Sequence, residues 1–286
     1  MVKVFLLFVM LSSTVMFAQE GDSFGAKSSL QDPLSAKIES FLGEKSYRVN
    51  KNFIRAIFDP KRAFYKNGRV DSVKVIAKLK ENGLLKLFFK TPQEFQLNFQ
   101  TSGSPLFFVK LMGDALRNIG YYRYVTTASH LDSSAFVWSI NLTSEYATDP
   151  LVLQKELAKS GCRIVDIEKN SPKEWTYSVD ISHARLHVPM LYNHKKVKLH
   201  RSLYAYWFNV SKIRKLQIQS AAGNQWHPYI SYYDAALHLV KIVKKARVSH
   251  GLTLTIPKNA TYVKISDLYT LKNVRAGLLL LPLGSR

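Results

Sequence analysis

Apolar and polar positions along this chain fall into three regimes. From Leu34 the period is helical. Leu34, Ile38, Phe41 and Leu42 share one face, and Gly43 stops the run. Phe53, Ile54, Ile57 and Phe58 repeat the pattern before Asp59-Pro60, and Asn67-Gly68 marks a turn. Asp71 or Ser72 then caps a helix bearing Val73, Val75, Ile76 and Leu79, closed by Asn82-Gly83. From residue 85 strand and helix periods interleave. Phe95, Leu97 and Phe99 alternate with Glu94, Gln96, Asn98 and Gln100, as in a half-buried strand. Ser104-Pro105 opens a helix through Phe107, Leu111, Met112, Leu116 and Ile119 to Gly120. Strands follow over 121–127 and 136–142. Asp149-Pro150 opens a second helix that ends at Gly161, and two more strands carry Ile164 and Ile167, then Trp175, Tyr177, Val179 and Ile181. From about residue 203 nearly everything reads as short strands, with turns at Ala222-Gly223-Asn224, Ser249-His250-Gly251 and Pro257-Lys258-Asn259.

The order strand, helix, strand, strand, helix, strand, with one strand added, predicts a ferredoxin-like split βαβ domain. Its sheet is expected to be antiparallel, with both helices on one face. The expected class is α+β: a leader and small N-terminal helical region over 19–84, the ferredoxin-like domain over 85–187, a linker over 188–200 and a C-terminal β-sandwich over 201–286. Within the last region, Gly251-Leu252-Thr253-Leu254-Thr255-Ile256-Pro257-Lys258-Asn259-Ala260-Thr261-Tyr262-Val263-Lys264-Ile265-Ser266 resembles the late strands of discoidin-type, galactose-binding-like jelly rolls. Asn273-Val274-Arg275-Ala276-Gly277 is similar too. The resemblance implies a jelly-roll fold and a binding module that takes glycans or other ligands through loops at one end. It carries over no ligand residue.

Residues 1–18 add a compartment. Lys3 supplies a charge, an apolar run spans 4–10, and Val15-Met16-Phe17-Ala18 precedes polar Gln19-Glu20, the pattern of a secretory signal cleaved after Ala18. The run is too short and too broken by Ser and Thr to span a bilayer, and no later segment is long and apolar enough. Cys162 is the one cysteine, so an exported chain forms no internal disulfide, which fits a bacterial periplasm. Beside Ile164 and Val165 it reads as a small buried hydrophobe.

Forty-one Lys and Arg against 20 acids give a net charge of +21, read as spread along the chain. For an exported protein the matching anions are peptidoglycan carboxylates, lipid phosphates, acidic glycans or an acidic protein, and no nucleic acid is expected.

Candidate chemistry is sparse. His183, His187, His194 and His200 cluster, but Pro189 breaks a helix and Lys195, Lys196 and Lys198 repel a cation, so no metal is expected. Asp180, Ser182 and His183 are triad residue types, yet neighbours on one strand point to opposite faces. No phosphate loop, dinucleotide fingerprint or zincin motif occurs, and no cofactor is expected. Gly103 precedes a helix start of the kind that can hold an anion. Trp226, His227, Tyr229, Tyr232 and Tyr233 form an aromatic group beside the Gly223-Asn224 turn and are the candidate ligand-binding residues. The chain therefore reads as an exported, non-enzymatic binding or assembly protein of the cell envelope. Its expected partner is an envelope protein complex, peptidoglycan or an acidic glycan. The alternative is a cell-wall or polysaccharide-processing enzyme with an accessory sandwich. Mass spectrometry of the mature protein from an envelope fraction should give an amino terminus at Gln19; an intact Met1 in the cytosolic fraction would refute export.

Overall fold

The computed structural model describes residues 32–286, so the signal-peptide and leader expectations over residues 1–31 lie outside the described residues. Helix α1 (Pro33–Leu42) buries Leu34, Ile38 and Phe41. Two short helices follow, α2 (Glu44–Val49) and α3 (Lys51–Ile57). Ile54 and Phe58 are buried, whereas Phe53 faces solvent. Asn67 and Gly68 both take positive φ, which makes the tight hairpin between β1 (Tyr65–Lys66) and β2 (Arg69–Val70). The Asp71 carboxylate caps α4 (Ser72–Glu81), accepting the Lys74 N–H at 3.1 Å.

The next strands and helices are β3 (Phe88–Thr101), α5 (Pro105–Asn118), β4 (Val125–Leu131), β5 (Phe136–Tyr146), α6 (Pro150–Ala158), β6 (Arg163–Ser171) and β7 (Glu174–Asp180). They form one sheet in the order β4-β5-β3-β7-β6. The split crossover β3-α5-β4 is present, with β5 lying between its two strands. The expected all-antiparallel sheet is instead mixed, because β7 enters between β3 and β6 and pairs parallel with β3. Side-chain character accounts for the order. Trp175, Tyr177 and Val179 make β7 an apolar strand suited to the middle, while β6 carries Arg163, Asp166, Glu168 and Lys169 and goes to the edge.

Helices α1 and α4 do not stand apart from this sheet. Both pack on β6, and their apolar residues join Phe95, Leu97, Phe99, Trp138, Ile140, Trp175 and Tyr177 in one core. Polar ties hold the seam. Lys37 pairs with Asp166 at 2.7 Å, the Ser72 hydroxyl donates to the same carboxylate at 2.5 Å, and the Lys169 ammonium donates to the Phe41 carbonyl at 2.8 Å. The other sheet face is polar, with Gln96, Asn98, Gln100, Ser139, Asn141 and Thr176, and the Asn98 amide donates to Glu174 at 2.9 Å.

Eight strands complete the chain: β8 (Val197–Leu199), β9 (Tyr206–Asn209), β10 (Ile213–Ser220), β11 (Pro228–Tyr233), β12 (Leu239–Lys244), β13 (Gly251–Thr255), β14 (Tyr262–Asp267) and β15 (Leu278–Ser285). Two antiparallel sheets, β13-β10-β15-β8 and β12-β11-β14-β9, face each other over Ile213, Leu216, Ile218, Trp226, Ile230, Val263, Ile265 and Leu280. Pairing the first strand with the last and the second with the seventh is the double Greek key of a jelly roll. The stretch 188–200 is more than a tether, since it contains β8 and buries Leu191 in this second core. Glycine is obligatory at Gly277: φ is +81°, and a Cβ would sit 2.0 Å from the Leu199 carbonyl oxygen on β8.

Trp138 lies under the first sheet, its ring 6.0 Å from Phe99 and 5.7 Å from Tyr124, its indole N–H donating to Thr126 at 3.2 Å. Trp138→Ala should therefore lower the unfolding free energy by about 3–5 kcal/mol in denaturant titration, and a loss below roughly 1 kcal/mol would contradict this packing.

Candidate functional site

Strand β11 decides the fate of the aromatic group expected to bind ligand. Successive side chains point to opposite faces of a sheet. Ile230 and Tyr232 point inward, and Tyr232 is 0% exposed. Trp226 is also 0% exposed and donates its indole N–H to the Ser266 carbonyl at 3.0 Å. Trp226 and Tyr232 are therefore core residues and not a binding surface. The His227 ring is largely covered, edge-on to Tyr269 at 4.9 Å, and its backbone N–H donates to Asp267 at 2.7 Å. Tyr233 turns outward but meets Trp207 at 5.2 Å and packs against the core of the α+β module. Of the five, Tyr229 is the one left on an open sheet face, directly opposite Lys244 on β12 and Ser266 on β14.

That face extends beyond Tyr229. Lys264 on β14 pairs across to Ser231 on β11 and to Trp207 on β9, and Ile242 on β12 stands opposite Ser231. The Lys264 ammonium lies 5.9 Å from the Trp207 ring centroid. A second ammonium, Lys110 from α5 of the other module, lies 5.2 Å from the same centroid. Nearby, the Arg117 guanidinium stacks 4.7 Å over Tyr204, which is 57% exposed next to Leu203 at 73%. Lys110 is ion-paired with Asp114, whereas Lys244 and Lys264 have no carboxylate partner among the described residues. Trp207 and Lys264 were legible in principle, because each falls on the polar phase of a strand alternation. Their meeting across β9 and β14 was not.

The charge surplus is unevenly distributed. Residues 189–286 hold sixteen Lys and Arg but two acids, Asp234 and Asp267. Both acids face their own backbone. Asp234 accepts the Ala236 and His238 N–H groups at 2.9 and 2.8 Å, and the His238 ring at 2.9 Å. Buried Asp267 accepts N–H groups of His227, Tyr269 and Thr270 and the Asn273 amide. The jelly roll therefore shows solvent an almost purely cationic surface, which attracts anions over a screening length of about 8 Å at physiological ionic strength.

Other sites are less developed. His183, His187, His194 and His200 are exposed, and no group of three metal-ligating side chains exists among the described residues. Asp180 accepts the Ser182 N–H at 2.9 Å and pairs with Arg163; that backbone bond leads the causes holding its carboxyl below the usual range, so the pair is a turn and not a relay. The Gly103 turn is filled by Ile181, since a Cβ would meet it at 2.5 Å, and it borders a 440 Å³ cleft with Ser104, Asp180 and Ala235. A 560 Å³ groove runs beside Phe88 and Tyr146, whose rings meet tilted at 5.2 Å, with the Lys80–Asp149 ion pair in its lining.

No protein-family model matches this chain, and no curated protein and no solved structure matches it.

Cys162 is buried, and burial, reinforced by the Asp180 charge, pushes its thiol up to about 11. At pH 8 the native protein should react with a thiol reagent at least about 100-fold more slowly than the unfolded chain, because the thiolate is the nucleophile. Equal rates would contradict the burial.

Proposed function

We propose that this protein is an exported, non-enzymatic binding or assembly protein of the cell envelope, in which the jelly roll makes the main contact. The observation that carries the reading is the segregation of charge. A module with sixteen cations and two internally engaged acids has a surface suited to anionic envelope material. Cations alone favour any polyanion. Here they are set among part-exposed aromatic rings: Tyr229 and Tyr204 offer ring surface to sugars or to a partner's apolar groups, and Trp207 gathers two ammonium groups beside them. The resemblance of residues 251–266 to galactose-binding-like jelly rolls points the same way. The location differs from that class of module, however: the supporting residues lie on a sheet face and not in end loops.

Purified mature protein should co-sediment with peptidoglycan sacculi at low salt. The bound fraction should fall steeply as salt is raised, because exposed charges are screened beyond about 3 Å at 1 M. Tyr229→Ala should weaken binding by about 1–3 kcal/mol, the scale of a lost aromatic anchor. No co-sedimentation at low salt would overturn the reading.

A further inference from the structure

We infer that the ligand of this surface is a linear acidic polysaccharide lying across the outer face of β12-β11-β14-β9, and that α5 completes the site. This rests on the reading proposed above and narrows it to a ligand class.

Two cation–aromatic pairs stand directly opposite one another across neighbouring strands: Lys244 on β12 with Tyr229 on β11, and Lys264 on β14 with Trp207 on β9. The pattern cation, ring, cation, ring is therefore written across the four strands in order. Strands lie about 4.8 Å apart, so Lys244 and Lys264, with β11 between them, are anchored roughly 10 Å apart across the sheet, further still along it. The Lys264 ammonium lies by Trp207 on β9, on the side of β14 away from Lys244, so the two cations stand apart as two separate positions for negative charge. A polymer that repeats a ring and an anion can meet both pairs, one repeat at each. The hydroxyl of Ser266 beside Tyr229 adds a hydrogen-bonding group suited to a sugar hydroxyl.

Electrostatics adds a second point. Lys110 and Lys264 bring two like charges to one indole, and Asp114 offsets the first alone. A ligand anion near Lys264 relieves the remaining repulsion. Because Lys110 belongs to α5, the ligand spans both modules.

Polygalacturonate, a chain of carboxylated sugar rings, is the probe, used with the full mature protein by calorimetric titration at low salt. Dextran supplies rings without charge, polyglutamate charge without rings, and oligothymidine rings on a phosphate chain. Polygalacturonate should bind at least about tenfold tighter than each of the other three. Lys244→Gln with Lys264→Gln should cost about tenfold or more. Lys198→Gln with Lys215→Gln, which removes the same charge from the outer face of the opposite sheet, should cost less than about twofold. Tyr229→Ala tests the ring half without disturbing the junction and should also cost about tenfold. Equal binding of polyglutamate or oligothymidine, or equal losses from the two lysine pairs, overturns the inference. Sacculi that bind while polygalacturonate does not also overturn it and leave the wider reading standing. If neither binds, both fall.

Discussion

Tyr262 joins the two halves of this molecule. It lies on the outer face of a jelly-roll sheet, where solvent would be expected, yet it is buried in the core of the α+β module. Its phenol oxygen accepts the Leu186 N–H at 3.1 Å, which satisfies a backbone donor at the chain crossing, and burial holds its proton on well into the alkaline range. Leu237 is buried in the same core, and Trp207 and Tyr233 flank it. This apolar joint sets the angle at which α5 meets the sheet, and so brings Lys110 over Trp207. Without the joint, the cationic face would be an ordinary basic sheet surface with no contribution from the first module.

The same economy of acids shapes both modules in different ways. In the α+β module carboxylates tie elements together: Asp166 to α1 and α4, Asp149 to Lys80, Asp180 to Arg163. In the jelly roll Asp234 braces a single turn, while Asp267 holds the turn after β14 and the His227 N–H at the start of β11. Their charges are spent on nearby N–H groups and on one imidazole, leaving the lysines of the sheet faces unmatched. A polar group facing its own backbone adds rigidity but offsets little of the field felt at a distance. That is why a modest surplus per residue becomes a strongly one-signed surface on the last third of the protein.

Much of the architecture was readable from residue order alone, because it depends on local constraints. Ser104-Pro105 and Asp149-Pro150 start helices where they stand, Asn67-Gly68 makes its hairpin, and the period-two runs at Phe95–Phe99 and Phe136–Leu142 become strands with the expected faces inward. The jelly-roll reading of the C-terminal strands also holds, since its eight short strands have the pairing of that fold. What local pattern cannot report is which strands become neighbours. The insertion of β7 between β3 and β6, the sharing of one core by α1, α4 and the sheet, and the recruitment of residues 197–199 as a strand each depend on contacts between distant segments.

The candidate site divides along the same line. From sequence, Trp226, His227, Tyr229, Tyr232 and Tyr233 form one aromatic group, because proximity along a chain looks like proximity in space. A strand with period two separates such neighbours to opposite faces, and the sandwich buries one face completely. Composition determined that the chain is basic, aromatic and poor in acids, and strand periodicity determined that its last third is a sheet structure. Only the tertiary structure decided that Tyr229 stays outside while Trp226 and Tyr232 go in. It alone set Lys264, Trp207 and Lys110 together, since those residues come from three elements whose meeting is fixed by sheet register and by the buried joint at Tyr262.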